Sequence, residues 1–421
     1  MDPAGGNCEL RLSLVNNIMD TLGIYAQIPF CASKCSFCNF SSKVAPENVF
    51  DAYCDALEKE IASLPLGYAD SGIPPAICDL AVDTLYFGGG TPSLLGVKRL
   101  HRIVHALRGR FGFIDSPEFT IEVTPGSVDD QLFSTAPGLG INRLSIGAQS
   151  FDDRELNVVG RLHTSEETRE LVRRARHAGF KNISLDLIAG MPFQTESSWR
   201  KTLLAALDLE PKHISIYLFE IDQKSRLGAE VLKHGTTYHA AAVPGDDFMA
   251  AAYQTAQELL AGAGYIQYEI SNFALPGYES HHNQKYWQLK PYVGLGAGAH
   301  SFDGKCRWEN ETRVEKYQEL VHCAQSPIEE ARVLSIDEQL EEFFFLGLRQ
   351  KNGVDLKVAR RQWGESKLSQ WEPRLSALAR DGWIERRADR VSLPVGAYLI
   401  SNEIFQEFLL EQQPPLIFRT E

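Results

Sequence analysis

Residues 24–38 read Ile24-Tyr-Ala-Gln-Ile-Pro-Phe-Cys31-Ala-Ser-Lys-Cys35-Ser-Phe-Cys38. The largely apolar first seven residues predict a short buried strand, and three cysteines spaced C-x3-C-x2-C follow it directly. Thiolates are soft ligands that suit iron–sulfur clusters, and such clusters normally take four of them. Three thiolates on one tight loop can bind three corners of a [4Fe–4S] cluster and leave its fourth iron open. Two alternatives remain: three buried structural thiols, or a zinc site that a distant ligand completes.

The composition is that of a protein with a substantial core. A chain of 421 residues suggests two or three domains, or one large α/β domain with appendages. Its 44% apolar and 23% charged content is ordinary, and its formal net charge of −13 argues against a nucleic-acid partner. No run of about 18 apolar residues occurs, so we predict no membrane span. A weak peripheral association with a membrane remains compatible with the sequence.

The remaining cysteines bear on the cellular compartment. They are scattered without the spacing of a disulfide framework: Cys8, Cys54, Cys78, Cys306 and Cys323. The first residues also lack the positive region and clear apolar core of a signal peptide. Both features predict reduced thiols in a reducing compartment, and therefore a cytoplasmic protein.

Short β-rich runs alternate with amphipathic helices along the first half of the chain. The predicted strands are 24–30, 83–87, 119–123, 143–146, 182–188 and 213–219; the helices between them are 50–64, 99–111, 129–134, 165–177 and 196–209. This alternation predicts parallel βαβ units with right-handed crossovers. We therefore predict an α/β fold, an open six-stranded partial (β/α)6 barrel with its chemistry at the carboxyl ends of the strands.

The second half of the chain is predicted to be less regular. Residues 222–244 read as a connection, 246–263 as a helix, 265–273 as a strand, and 281–301 follow no period. From residue 335 helices at 335–348, 356–363 and 367–381 precede an alternating hairpin at 383–393. The last two of these helices, followed by the hairpin as a β wing, predict a small α+β domain that resembles a winged helix. The acidic charge and the lack of an obvious basic recognition helix argue against DNA binding.

A glycine run follows the second predicted strand directly. Its sequence is Gly88-Gly-Gly-Thr-Pro92. Glycines let the backbone approach a ligand closely and adopt positive φ, although glycine turns also simply end strands. Beside a cysteine loop at the end of the neighbouring strand, the run becomes a more specific signal of a ligand site.

Together the cysteine loop and the glycine run resemble the radical S-adenosylmethionine (SAM) superfamily, in particular its oxygen-independent coproporphyrinogen III oxidase branch. Further matches are Glu122-Val-Thr-Pro-Gly, Arg143-Leu-Ser-Ile-Gly-Ala-Gln149-Ser-Phe, Gly160-Arg161-Leu-His, Asp186-Leu-Ile-Ala-Gly-Met-Pro, His282-Asn-Gln-Lys-Tyr-Trp287 and Gly294-Leu-Gly-Ala-Gly-Ala-His-Ser301. The resemblance covers roughly residues 22–410. It implies an N-terminal arm at 1–21, a radical SAM core at 22–245, a haem-associated segment at 246–334 and a C-terminal domain at 335–421 like that of the oxidases.

The resemblance implies cofactors and their ligands. Cys31, Cys35 and Cys38 would hold a [4Fe–4S] cluster whose fourth iron takes the amino and carboxylate groups of SAM. One electron into the sulfonium would cleave SAM to methionine and a 5′-deoxyadenosyl radical. The implied SAM-site residues are Tyr25, Phe37, Gly89, Gly90, Thr91, Glu122, Gln149, Arg161 and Asp186. Arg161 would pair with the SAM carboxylate, and Asp186 or Glu122 with ribose hydroxyls or the ammonium. The alternative for the polar residues is ordinary polar strand ends.

Two departures from the oxidases narrow the resemblance. The oxidases carry a further cysteine, C-x3-C-x2-C-x-C, where this chain has Phe40, and they have a longer N-terminal arm than the 24 residues before Tyr25. Both differences match instead the subgroup of HemW-type haem chaperones. We therefore do not expect coproporphyrinogen oxidase activity, whereas SAM cleavage stays open.

In that subgroup the element His282-Asn-x-x-Tyr286-Trp287 is tied to haem. An imidazole can ligate haem iron, and the two aromatic rings could pack on a porphyrin face. A histidine beside aromatic residues is, however, more often a hydrogen-bonded structural residue, and both rings could equally belong to the core or cover the SAM pocket. His281 and His300 are rival ligands, and Cys306 and Cys323 could ligate haem as thiolates.

The predicted function is therefore haem binding and delivery by a protein that carries a SAM-binding cluster. The implied partners are haem and a recipient haem protein, which could belong to the respiratory chain. The first alternative is a radical SAM methyltransferase or related C–C bond-forming enzyme, because those enzymes share the three-cysteine motif. The second is a coproporphyrinogen oxidase.

Overall fold

One large mixed β-sheet organises the protein. The computed structural model describes residues 21–64, 75–128 and 130–409. The strands of the large sheet lie in the order β12-β11-β10-β9-β1-β2-β3-β4-β5-β6-β8-β7. Strands β1 to β6 run parallel to one another. At the ends of this group β9 pairs in parallel with β1, and β8 pairs antiparallel with β6. The predicted order of six parallel strands is therefore present as the middle of a wider sheet.

The elements have the following bounds. The strands are β1 (Leu22–Ile28), β2 (Val82–Gly89), β3 (Phe113–Val123), β4 (Arg143–Gln149), β5 (Asn182–Ala189), β6 (His213–Leu218), β7 (Ile266–Gln267), β8 (Asn272–Ala274), β9 (Tyr292–Leu295), β10 (His300–Phe302), β11 (Cys306–Asn310), β12 (Ile328–Val333), β13 (Val354–Asp355), β14 (Glu385–Arg387) and β15 (Arg390–Ser392). The helices are α1 (Glu47–Ser63), α2 (Gly96–Arg110), α3 (Asp130–Leu139), α4 (Asp153–Val158), α5 (Ser165–His177), α6 (Glu196–Asp208), α7 (Arg226–Leu232), α8 (Asp246–Gly262), α9 (His281–Trp287), α10 (Val314–His322), α11 (Ile336–Gly347), α12 (Leu356–Trp363), α13 (Glu365–Leu368), α14 (Glu372–Arg380) and α15 (Ser401–Gln406).

The two faces of the six parallel strands differ in chemistry because alternate side chains point to opposite faces. One face is apolar, lies in the main core and carries Ile24, Ala26, Leu85, Phe87, Ile121, Leu144, Leu185 and Ile214, among others. The alternate positions carry polar side chains: Tyr25, Gln27, Thr84, Tyr86, Glu118, Thr120, Glu122, Arg143, Ser145, Asn182, Ser184, Asp186, His213, Ser215 and Tyr217. We call this second surface the polar face. An apolar face suits packing against helices, whereas a polar face suits contact with a ligand or water.

Several expectations for the second half of the chain were wrong. The stretch 265–273 is a hairpin of β7 and β8 rather than one strand, because Glu269 Oε1 accepts the backbone N–H of Ser271 in the turn between them. The connection 222–244 contains α7, which begins where the Ser225 side chain accepts the N–H of Gly228. The irregular stretch 281–301 contains α9, β9 and part of β10. The helix expected at 367–381 is divided into α13, a 3-10 turn and α14, with a proline at the start of α14.

Beyond α11 the chain forms a separate three-stranded sheet in the order β13-β15-β14, with α12, α13 and α14 between its first two strands in sequence. The hairpin predicted at 383–393 is present as β14 and β15. In the part of the chain that the structure describes, no helix combines the length and apolar character needed to cross a bilayer. The N-terminal arm predicted at 1–21 lies outside the described residues except for Thr21.

Candidate functional site

The cysteine loop follows β1 and is anchored on both sides. The backbone N–H of Cys31 donates to the carbonyl of Lys43 over 3.0 Å, and that of Ser36 donates to the carbonyl of Val159 over 3.0 Å. The Ser36 carbonyl accepts the N–H of Leu227 over 2.8 Å at the start of α7. Backbone contacts with two distant segments therefore hold the loop in place. Burial raises the pKa of the Cys31 thiol.

The glycine run lies directly against the start of the cysteine loop. The N–H of Gly90 donates to the carbonyl of Ile28 over 2.8 Å, and that of Thr91 donates to the carbonyl of Phe30 over 2.7 Å. A Cβ added at Gly90 would lie 2.5 Å from the Phe30 carbonyl oxygen and 2.8 Å from that of Ile28. Glycine is needed here because the obstructing atoms are backbone and cannot rotate away.

Arg161 joins the loop to the end of β4. Its Nη2 donates to the carbonyl of Gly147 over 2.6 Å, and its Nη1 lies 3.8 Å from Sγ of Cys35. Its Nε is buried and has no hydrogen-bond partner among the described residues. Arg161 is half-buried, and its buried, unpartnered Nε–H next to the cysteines is the donor that a carboxylate ligand requires.

Glu122 and Asp186 are the carboxylates of the site. Glu122 accepts the N–H of Gly89 over 3.1 Å and the Tyr86 hydroxyl over 2.9 Å. Asp186 accepts the hydroxyls of Ser145 at 3.0 Å and Ser215 at 2.7 Å. The four contacts fix both carboxylates on the polar face towards the carboxyl ends of the strands.

Burial raises the pKa of both carboxyl groups. The pKa of Glu122 is about 7, since desolvation and the negative charge of Asp186 outweigh the hydrogen bonds from Tyr86 and Gly89. The pKa of Asp186 is raised by burial, against the hydrogen bonds from Ser215 and Ser145 that lower it. Two nearby carboxyls with raised pKa values are typical of a ligand or catalytic site.

The other predicted SAM residues surround the same region. Gln149 ends β4 with a φ of 64°, which is strained for a residue with a side chain. Tyr25 stacks on Tyr86 with ring centroids 5.8 Å apart. Phe37 is half-buried and packs against a small apolar cluster that includes Met191. The structure therefore brings the predicted SAM-site residues together around the cysteine loop.

His282 lies on the same polar face, nearer the amino ends of the strands. Its Nδ1 is 2.8 Å from the Thr84 hydroxyl and its Nε2 is 2.9 Å from the Tyr286 hydroxyl, so both ring nitrogens have partners. The ring stacks on Tyr86 with centroids 5.1 Å apart. Burial, together with the cations of Lys285 and Arg143, lowers the pKa of His282 to about 3. The imidazole is therefore neutral, as an iron ligand must be, but its hydrogen bonds equally fit a structural role.

Helix α9 is fixed across the sheet at this position. The backbone N–H groups of His281 and His282 donate to Glu118 at 3.0 Å each. Trp287, at the other end of α9, lies under the guanidinium of Arg349 at 4.4 Å, and its indole N–H is buried without a partner among the described residues. His282 and Tyr286 are thus adjacent, whereas Trp287 lies towards the end of α11.

The rival haem ligands lie elsewhere. His281 is exposed, and His300 on β10 lies 3.3 Å from a carboxylate oxygen of Glu309. Cys306 packs into the main apolar core, and Cys323 is exposed at the end of α10. Of the five side chains considered as haem ligands, His282 is the one on the polar face with the predicted SAM residues.

Sequence reasoning missed several residues of the polar face. Arg143, Ser145, Tyr86, Ser215 and Tyr217 all lie beside the predicted site residues. Their signal was the alternation of polar with apolar residues in the strands, for example in His213-Ile-Ser-Ile-Tyr217. Burial and the negative charge of Asp186 raise the pKa of Tyr217.

The cysteine arrangement fits a cluster better than a single ion. Among the described residues no three His, Cys, Asp or Glu side chains are close enough together to bind one metal ion. A [4Fe–4S] cluster spreads its thiolate ligands over separate iron atoms, so it needs wider spacing than a zinc ion does. The anchored loop and the free Nε of Arg161 together fit a cluster with a carboxylate-bearing ligand beside it.

Comparisons with known proteins find similar sequences over most of the chain. Residues 25–206 match the Radical SAM superfamily, and residues 334–397 match the HemN C-terminal domain. The chain is 33% identical to the protein named heme chaperone HemW of Bacillus subtilis, over 92% of this chain and 99% of that protein. It is 36% identical to heme chaperone HemW of Synechocystis, over 78% of each chain.

The fold also has a solved counterpart. Coproporphyrinogen III oxidase (HemN) from Escherichia coli, described as a radical SAM enzyme, superposes with a TM-score of 0.79. The match covers 92% of this chain and 90% of that one at 24% sequence identity. At this identity the likeness establishes a shared radical SAM fold and carries no conclusion about the reaction.

Proposed function

The chain belongs to the HemW family of the radical SAM superfamily, and from this premise we propose that it is a haem chaperone. It binds haem, transfers it to a recipient haem protein and carries a SAM-binding [4Fe–4S] cluster. The observation that carries this proposal is the polar face, which presents the predicted SAM residues at one end and His282 at the other. The relatives in Lactococcus lactis and Bacillus subtilis, each matched over 92% of this chain, are also named heme chaperones.

Cys31, Cys35 and Cys38 would hold the cluster, and Arg161 would bind the carboxylate of SAM through its free Nε. Glu122 and Asp186 would accept hydrogen bonds from the ribose hydroxyls or the ammonium group. When bound, a reduced cluster supplies one electron to the sulfonium of SAM. The chain's own residues orient SAM and restrict access of water to it.

We propose that the six parallel strands curve around the polar face as a partial barrel. Burial contributes most to the raised pKa of Tyr86 on β2, yet Tyr217 on β6 adds to it. The two strands are four positions apart in the sheet, about 19 Å if it were flat. An electrostatic effect of Tyr217 on Tyr86 requires the two side chains to be closer than this flat-sheet distance, which supports a curved sheet. The three-stranded C-terminal sheet with α12 and α14 likewise supports a winged-helix-like domain.

Haem would bind on the polar face against α9. In this proposal the neutral imidazole of His282 ligates the iron through Nε2. The Tyr286 hydroxyl, which is hydrogen-bonded to Nε2 in the haem-free protein, must then move away. Tyr286 and Trp287 would contact the porphyrin. The alternative is a structural His282 whose two hydrogen bonds hold α9 against β2.

An anaerobic haem titration of the cluster-reconstituted protein tests this function through the Soret absorption. We expect saturation near one haem per chain, and a weakened, spectrally altered complex for His282→Ala. His281→Ala is the matched control, since that neighbouring side chain is exposed. The absence of saturable haem binding in the wild type would remove the chaperone function. Loss of haem binding in His281→Ala alone would instead move the ligand to that rival residue.

A second readout separates a chaperone from the enzymatic alternatives. The haem-loaded protein should transfer haem to an apo haem protein, followed as the shift of the Soret band. Release of 5′-deoxyadenosine over many turnovers together with a methylated product would indicate a methyltransferase instead.

A further inference from the structure

Three neighbouring strands place three polar side chains in one row on the polar face. Thr120 on β3 pairs in register with Arg143 on β4, which pairs with Asn182 on β5. Neighbouring strands lie about 4.8 Å apart, so the three side chains are adjacent. Thr120 Oγ1, Arg143 Nε and Nη1, and Asn182 Oδ1 are all buried without a hydrogen-bond partner among the described residues. Four unpartnered atoms in one row mark a place where a polar group is missing.

Arg143 is the principal member of this row. Its side chain is 1% exposed, and the described residues place no carboxylate in an ion pair with it. The nearby carboxylates have other partners: Glu118 accepts the N–H groups of α9, and Asp186 accepts two serine hydroxyls. Burial acts to lower the pKa of Arg143, but nearby negative charges, chiefly that of Glu118, raise it on balance, so these carboxylates act on the cation without ion-pair contact. Its buried Nε and Nη1 still lack a hydrogen-bond acceptor, and an unsatisfied buried donor is costly.

We infer that Thr120 and Arg143 form a subsite for a carboxylate of the bound ligand, with Asn182 beside them, whose amide presents its Nδ2 donor to that carboxylate when the side chain turns over. The guanidinium offers two N–H groups to the two carboxylate oxygens, and the Thr120 hydroxyl offers a further donor. An Arg fork matches a planar carboxylate in both charge and geometry. The subsite is separate from Arg161, which lies at the cysteine loop.

The position of the row identifies the ligand. Thr120 lies two residues before Glu122, about 7 Å along β3. The row is therefore nearer the amino ends of the strands than Glu122 and Asp186, the carboxylates of the proposed SAM site. Arg143 is also close enough to His282 to lower the pKa of its imidazole, after burial and Lys285. A ligand that reaches both residues needs a metal or porphyrin ring for His282 and a carboxylate arm for Arg143. Resting on the proposed function, the subsite takes a haem propionate.

Haem and haem dimethyl ester distinguish this subsite from the general haem site. The ester keeps the iron and the ring but removes the propionate charges. We would titrate both compounds into the cluster-loaded full-length protein, its Arg143→Lys variant and the control Arg108→Lys, all in the same mild detergent. Arg108 lies on α2, where it hydrogen-bonds the carbonyl of Leu139. Cluster content and SAM binding of each variant report on correct folding.

In the wild type we expect haem to bind about 10- to 100-fold more tightly than its ester, as for a charge-assisted hydrogen bond. Arg143→Lys should reduce this ratio to within about threefold, whereas Arg108→Lys should keep it. Equal affinities of the wild type for haem and its dimethyl ester would contradict the propionate subsite, and this result does not depend on whether any variant folds. An unchanged ratio in Arg143→Lys would make Arg143 a structural cation. A wild type that binds neither compound would contradict the proposed function itself.

Discussion

Nη1 of Arg161 lies 3.8 Å from Sγ of Cys35, although 126 residues separate them in sequence. The contact brings a guanidinium to the edge of the loop that would hold the cluster. The same side chain keeps its Nε free for a ligand, so it can serve both cofactors of the site.

Arg161→Lys should weaken SAM binding by about 10- to 100-fold, because lysine keeps the charge but cannot present the same N–H groups to a carboxylate. The measurement is equilibrium binding of SAM to the cluster-loaded protein. Arg173→Lys on the exposed surface of α5 is the control and should bind SAM like the wild type. Unchanged SAM affinity in Arg161→Lys would indicate that another residue binds the carboxylate of SAM.

Replacement of Cys31, Cys35 or Cys38 by serine should each lower the iron and sulfide content after anaerobic reconstitution, because serine provides no soft thiolate ligand. The triple variant should lose the broad visible absorption of the cluster. Cys323→Ser is the control, since that thiol is exposed at the end of α10. A cluster retained at full content in the triple variant would place its ligands elsewhere in the chain.

Gly90→Ala should destabilise the protein by about 1–3 kcal/mol, the usual cost of overpacking, and should impair cluster retention. The added Cβ would collide with the backbone of Phe30 next to Cys31. Thermal unfolding and iron content measure the two effects. Gly109→Ala on α2 is the matched control, because a Cβ there meets nothing within 4 Å. Equal melting temperatures of the two variants would show that the backbone of Phe30 leaves room in solution for a Cβ at residue 90.

The Glu122 carboxyl should make the cluster-free protein less stable as the pH rises. The pKa of Glu122 is about 7 in the folded protein and ordinarily 4.5. Between these values the folded state keeps a proton that the unfolded state has lost, so the free energy of unfolding falls with rising pH, by at most about 3 kcal/mol. Chemical unfolding at about pH 5 and about pH 8 should show this loss in the wild type.

The same comparison with Glu122→Gln isolates this carboxyl. The variant should lose part of the stability difference between the two pH values, because an amide does not titrate. Glu166→Gln on the surface of α5 should behave like the wild type. A pH dependence that is identical in Glu122→Gln and the wild type would contradict the raised pKa.

Tyr286→Phe should raise the haem affinity about two- to tenfold if His282 ligates the iron, because the phenol now holds Nε2 through a neutral hydrogen bond of 2.9 Å. A haem titration of this variant measures the change, with Tyr398→Phe in the C-terminal domain as the control. Unchanged affinity and an unchanged Soret spectrum would favour the structural role of His282.

The parallel core could be predicted well from the sequence. Predicted helix 165–177 coincides with α5, whose ends carry a capping box at Thr164 and Glu167 and a glycine at Gly179. These signals are local, since the residues that cap a helix are its immediate neighbours. The hairpin of β7 and β8 was missed because its turn depends on the side-chain hydrogen bonds of Glu269. An alternating apolar run gives no sign of such a turn.

The sequence by itself determined the cysteine loop, the glycine run and the order of the parallel strands. Their signals lie within a few residues of one another, where chain connectivity alone brings the groups together. Only the tertiary structure decided that Thr120, Arg143 and Asn182 form one row, and that His282 has a partner on each ring nitrogen. Those relationships depend on strand register and on the position of α9. Register and packing are set by the whole core, so no local pattern encodes them.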